Sequence, residues 1–168
     1  MADGEMQDEP AAAAPASRVE RTLGEIGLFH FAPYLMNRIM GRYNAELQSA
    51  LRDHDLTTAK MRTLAVLAVV PGLTINELSV YAVTEQSTMS RTLEALEQSG
   101  LVRREGRASD GRVREIYLTE AGRAEFDRAW PILYDSYRSM FEGIDEAERQ
   151  AFTATLQKVL NNVRRHEI

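Results

Sequence analysis

TEQSTMSRTLEALEQSGLVRREGRASDGRVREIYLT, residues 84–119, joins a helix signal directly to a basic hairpin carrying an Asp-Gly tip. Thr84 is placed to cap the helix, and Met89, Leu93 and Leu96 recur at the i, i+4, i+7 spacing of one buried face. At roughly 100° per residue, Ser87 and Arg91 point away from that stripe, with Thr88 and Ser90 at its flanks. These four side chains fall in the N-terminal half of the helix. That end meets base edges when a helix lies in the major groove, where hydroxyls and a guanidinium are suitable hydrogen-bonding groups. An ordinary amphipathic surface helix would carry the same stripe, so this half of the segment leaves both readings open.

The second half separates them. Gly100 can supply a left-handed cap, after which residues 101–105 and 113–118 read as two short strands joined by GRASDGR. Arg103, Arg104, Arg107, Arg112 and Arg114 stand against only Glu105 and Asp110, in a chain whose formal net charge is -5. An acidic chain with one local basic patch points to a localised phosphate-binding surface rather than a polycation. A lone basic turn is commonly just solvated. Directly after a candidate recognition helix it reads as the wing of a winged helix-turn-helix that binds double-stranded DNA.

Working outward, residues 28–52 turn helical. Met36, Met40, Tyr43, Leu47 and Leu51 lie on one face and Phe31, Leu35 and Ile39 on a neighbouring one, so the helix needs partners on two sides. Pro33 fits its first turn, where a missing N–H costs little. LTTAKMRTLAVLAVV follows as a second helix, with Gly72 marking its end. Thr74-Ile75-Asn76-Glu77 is a capping box opening a short third helix through about Tyr81, and a turn at Val83-Thr84 leads into the recognition helix. Beyond the wing, Thr119 can cap a long helix with Phe126, Trp130, Leu133, Tyr137, Met140 and Ile144 at mostly 4-3 spacing. Pro131 should kink or break it. A last helix from about Asp145 places Phe152, Leu156, Val159, Leu160 and Val163 on one side.

The expected class is therefore mainly α (α+β). It comprises a winged helix-turn-helix lobe over residues 57–118, flanked by helices at 28–56 and 119–168. The apolar surface at the two chain ends exceeds what a small winged lobe can cover, and a homodimer through those helices would bury it better than a monomer folded on itself. Residues 1–22, acidic and Ala/Pro-rich without helical periodicity, read as a disordered tail whose composition identifies no partner.

Composition closes other routes. The 168 residues, 44% of them hydrophobic, make one good core and leave no room for a second large domain. With no cysteine there is no disulfide framework, thiolate metal site or cysteine redox switch in this chain. His30, His54 and His166 lack metal-ligand spacing, no Gly-rich phosphate loop is present and no motif nominates a base for a serine nucleophile, so neither enzyme, metal nor cofactor is expected. No apolar stretch approaches the length of a membrane span and no secretory pattern is seen, which makes a cytoplasmic protein the expectation.

Taken in order, STMSRTLEALEQSGLVRR, Asp110-Gly111-Arg112 and LTEAGR at 118–123 resemble the MarR (multiple antibiotic resistance regulator) family of bacterial winged-helix transcription factors, over about residues 28–165. The resemblance implies that Asp110 braces the wing while Arg112 enters the adjacent minor groove. The family often has a basic residue between these two. Here Gly111 takes that place, keeping the Asp-Arg pair but removing one phosphate contact and loosening the tip. The DNA-contacting set is then Ser87, Thr88, Ser90, Arg91, Arg107, Asp110 and Arg112. The family also implies homodimerisation, repression, and a crevice that in many members accepts aromatic acids or other lipophilic anions. Its candidate lining here is His30, Tyr34, Arg38, Met61, Arg62 and Trp130, where an Arg or His would hold a carboxylate and aromatics cover the ring. Cysteine-based peroxide sensing, used by some members, is excluded. The competing function is a winged-helix module for protein–protein contact, whose outward helix face would be apolar or acidic rather than Ser, Thr and Arg.

Overall fold

The computed structural model describes residues 21–54 and 56–164. The tail expected over 1–22 lies outside the described residues up to position 20. The chain divides into two units, residues 1–38 and 39–168.

In the first unit a short helix that the periodicity does not announce, α1 (Leu23–Ile26), is held by a capping box. The Thr22 hydroxyl accepts from the Glu25 N–H while the Glu25 carboxylate accepts from the Thr22 N–H. Gly27, at φ +81°, ends it. A 3-10 turn over Leu28–His30 and an extended Phe31 precede α2 (Ala32–Ala50), so the helix expected from Leu28 begins four residues later. Pro33 sits in its first turn, as expected.

The second unit holds the winged lobe and the C-terminal helices. After the end of α2 come α3 (Thr58–Val69), capped by Thr57, and α4 (Ile75–Tyr81), opened by the Thr74/Glu77 capping box, then α5 (Gln86–Gln98). Strands β1 (Val102–Arg107) and β2 (Asp110–Leu118) form an antiparallel hairpin, with Leu73 bridging to Ile116 as a third, one-residue rung. Finally come α6 (Glu120–Met140), capped by Thr119, and α7 (Glu146–Val163), opened by an Asp145/Glu148 capping box.

Helix α3 packs on α5, α6 and β2, and α4 packs on α5. Between them lies a core in which Leu51, Met61, Leu64, Leu78, Met89, Leu93 and Leu96 are fully buried. Each such leucine contributes about 1.5–3 kcal/mol of burial free energy. Thr63, equally buried, has its hydroxyl bonded back to the Ala59 carbonyl at 2.9 Å.

Three features depart from the sequence reading. Thr84 does not cap α5: the cap position belongs to Glu85 and has no side-chain hydrogen bond. Thr84 is used by the preceding turn, its N–H donating to the Ser79 carbonyl at 2.9 Å and its hydroxyl to that of Ala82 at 3.1 Å. The hairpin tip is Ala108-Ser109 and not Asp-Gly, because a register shift beyond Gly106 pairs Arg107 with Asp110 and draws Asp110 and Gly111 into β2. Of the kink or break expected at Pro131, the break does not occur, and α6 runs unbroken from Glu120 to Met140. Asp127, whose carbonyl loses its donor, is solvent-exposed like Pro131, so the freed group can be hydrated.

The LTEAGR run acquires a local physical account. The Thr119 hydroxyl accepts from the Gly122 N–H at 3.0 Å and donates to the Gly100 carbonyl at 2.7 Å, tying the start of α6 to the end of α5. A Cβ on Gly122 would fall 1.9 Å from the Leu101 carbonyl oxygen, so only glycine permits that approach. Arg123 donates to the Ala68 carbonyl at 2.9 Å, placing a cation at the C-terminal end of α3, where the helix dipole favours one.

Candidate nucleic-acid interface

The turn between α4 and α5 is tight. Val83 adopts φ +52°, rare for a β-branched residue, and the residue is 82% exposed. That turn sets the start of α5, whose Met89, Thr92, Leu93 and Leu96 face the core. Ser87, Thr88 and Arg91 are consequently exposed on the other side. Ser90 is half-buried and its hydroxyl donates to the Gln86 carbonyl at 3.1 Å, leaving the oxygen only its acceptor role toward any ligand. Gln86 in turn reaches across to α4, its Nε2 donating to Asn76 Oδ1 at 2.7 Å.

On the wing, Asp110 accepts from the Arg112 backbone N–H and Nε, both at 3.1 Å, and from Nη2 at 3.2 Å. These hydrogen bonds hold the Asp110 carboxyl below the usual aspartate range. The Arg112 side chain is nonetheless 92% exposed, with one edge of its guanidinium held by Asp110 and the rest meeting solvent. Arg114 is exposed as well.

The remaining wing arginines are engaged by the protein itself. Arg107 Nε donates to Glu115 Oε1 at 2.5 Å, and Tyr117 donates to the other Glu115 oxygen at 2.9 Å. Those two donors, Arg107 first, push the Glu115 carboxyl down. Arg103 pairs with Glu105 and lies over the Tyr117 ring at 5.0 Å, and Arg104 pairs with Glu97 of α5 at 3.1 Å. The basic hairpin is thus less open than its composition implies, with its most exposed cations at Arg112, which is itself paired with Asp110, and at Arg114. Neither the Glu115 clamp nor the Asn76–Gln86 bridge has a signal in the sequence, since each joins residues on different elements or across a bulged register.

The candidate effector residues are placed as follows. In the first unit His30 is exposed in the 3-10 turn, and Arg38 donates to the Tyr34 hydroxyl at 3.0 Å with its guanidinium 5.8 Å from the Tyr34 ring centroid. In the second, Met61 is fully buried and offers a ligand no surface. Arg62 donates to Asn44 Oδ1 at 2.6 Å. Trp130 is 47% exposed between Phe126 and Tyr134, at 5.7 and 6.0 Å, in a file of rings along α6. Among the described residues no group of His, Asp and Glu is arranged to hold a metal ion, and no helix is long and apolar enough to cross a membrane.

Comparison with known proteins matches this geometry. The model of the MarR family matches residues 54–113, which span α3 to the wing. The transcriptional regulator HosA of Escherichia coli is 31% identical over 134 residues, 79% of this chain and 94% of its own length. A MarR-family transcriptional regulator from Silicibacter pomeroyi is 55% identical, with a TM-score of 0.83 over 88% of this chain and 100% of that one. Two further solved structures are BpsR of Bordetella bronchiseptica (26% identity, TM-score 0.67, 76% of this chain and 97% of that one) and the transcriptional repressor CouR (26%, 0.68, 83% and 98%). With a winged helix-turn-helix in place and relatives of this similarity along most of its length, the chain belongs to the MarR family of transcriptional regulators.

Proposed function

We propose that this protein is a ligand-responsive repressor that binds a pseudo-palindromic operator as a homodimer. The observation that carries the reading is the pairing of an exposed Ser87/Thr88/Arg91 face on α5 with an Arg112 that is rooted by Asp110 yet 92% exposed. On this reading α5 enters the major groove, with Ser87, Thr88, Ser90 and Arg91 at base edges, and Arg112 reaches the neighbouring minor groove. Two copies related by a two-fold axis would read half-sites roughly 34 Å apart. The structure of CouR bound to a 23-mer DNA duplex supports DNA as the partner, and regulation of DNA binding by 6-hydroxynicotinic acid in BpsR supports a small aromatic acid as effector.

A gel shift of the full-length protein on DNA flanking its own gene, at low and high salt, tests the reading. Specific binding that weakens with salt is expected. No binding even at low salt would overturn it in favour of a protein-interaction module. The effector is tested by thermal-shift screening of aromatic acids against wild type, Arg38→Ala and Arg62→Ala. A shift in wild type that a variant loses is expected, and no shift in any of the three would remove the sensing role.

A further inference from the structure

The Asn76–Gln86 bridge does more than join two helices. Gln86 is the first residue of α5 and Asn76 lies in the first turn of α4; both are exposed, and Gln86 Nε2 donates to Asn76 Oδ1 at 2.7 Å. What brings them together is the strained turn. Val83 at φ +52° lets the Thr84 N–H close on the Ser79 carbonyl at 2.9 Å, so α5 starts beside the first turns of α4. Ser79 in turn bonds its hydroxyl to the Asn76 carbonyl at 2.7 Å.

A glutamine amide has two N–H donors and one carbonyl acceptor. With one N–H held by Asn76, Gln86 keeps one N–H donor and its carbonyl acceptor. That is the set which pairs bidentately with adenine, whose major-groove edge offers the N7 acceptor and the N6 amino donor. Guanine presents two acceptors there and would leave the Gln86 carbonyl oxygen facing another oxygen. While Asn76 presents its carbonyl oxygen, the bond holds the Gln86 amide with its NH2 toward α4, since a flip of Gln86 alone would set two carbonyl oxygens against each other.

Resting on the DNA-reading function proposed above, we infer that Gln86 reads an adenine in each half-site and that Asn76 is the positioning residue that orients its amide. Ser90 lies on the same flank of α5, and its bond to the Gln86 carbonyl fixes this first turn. The exposed face led by Ser87 and Arg91 is set apart from it by roughly a quarter turn of the helix.

The test is selection of bound duplexes from a randomised DNA library by the full-length protein, followed by competition with duplexes carrying single base-pair changes. Wild type is expected to enrich a two-fold-related sequence containing an A·T pair at which replacement by G·C weakens binding about 5- to 150-fold. In Gln86→Ala that preference should vanish while preferences elsewhere persist, which also shows the variant to be folded. Asn76→Ala should lower discrimination at the same pair alone. Asn76→Asp, whose carboxylate can still accept from Gln86, should keep the discrimination while binding all DNA more weakly. Unchanged preferences in Gln86→Ala would overturn the inference. A uniform loss in Asn76→Ala at every position would overturn the positioning role. Wild-type protein that enriches no sequence would instead remove the DNA-reading function itself, an outcome distinct from the other two.

Discussion

Arg112 is the residue at which a small change separates grip from fold. Its carboxylate partner is local and its guanidinium exposed, so Arg112→Ala should leave thermal stability within about 0.5 kcal/mol of wild type. Affinity should fall uniformly across operator variants, with the salt dependence reduced by about one phosphate contact in a titration series. Loss confined to one base pair would show a base-reading role instead. Gly122 behaves in the opposite way. A Cβ 1.9 Å from a backbone oxygen cannot be accommodated by rotating a side chain, so Gly122→Ala should destabilise by about 3 kcal/mol, measured by urea unfolding, and reduce DNA binding only through that loss. The chemistry of both positions is written in short runs of residues. Asp110-x-Arg112 and LTEAGR are recognisable in the sequence alone, but the reason for Gly122 is visible only where the start of α6 meets Leu101.

At the scale of elements, α4 is short and depends on its cap. Thr74→Ala removes the hydroxyl that accepts from the Glu77 N–H and should cost about 1 kcal/mol in chemical denaturation. Glu77 completes the box, accepting from the Thr74 hydroxyl at 2.7 Å and from its N–H at 2.8 Å. These bonds hold the Glu77 carboxyl below the ordinary glutamate value. A depressed carboxylate contributes stability that is fully present above the unfolded-state value, about 4.3, and is lost as pH falls through the lower folded value. The stability advantage of wild type over Glu77→Gln should therefore hold at neutral pH and shrink below about pH 4. A difference that stays constant to pH 2 would show that the carboxylate charge plays no part. Spacing in the sequence announced this element well, and α5 with it, because a capping box and an i, i+4, i+7 stripe are local signals. The hairpin was less legible. Its register is set by the bulge and by Ile116 bonding to Leu73, contacts between residues distant in sequence.

For the whole molecule, the telling feature is what the second unit leaves uncovered. No residue of α7 is buried, while Phe152, Val159, Leu160 and Val163 are 39–68% exposed, and Trp130 and Tyr134 on α6 are nearly half exposed. An apolar helix face of this kind in water is covered by a partner, and a second copy is the proposed one. Sedimentation velocity of the full chain should therefore give a dimer at micromolar concentration. Leu160→Glu combined with Val163→Glu should shift it toward monomer and weaken operator binding, since a single reading head loses the second half-site. A monomeric wild type that still binds a palindromic site tightly would overturn the dimer.

The sequence by itself determined the order of elements from α2 onward, the buried stripe of α5, the caps of α4 and α6 and the presence of a basic wing, because each is specified by residues within one or two turns of each other. Only the tertiary structure decided the rest. It moved the hairpin tip to Ala108-Ser109, engaged Arg103, Arg104 and Arg107 with acids of the protein and left Arg112 and Arg114 outward. It carried α6 through Pro131 and set Gln86 against Asn76. In each case the outcome depends on which groups compete for one donor or acceptor in space, and periodicity along the chain holds no record of that competition.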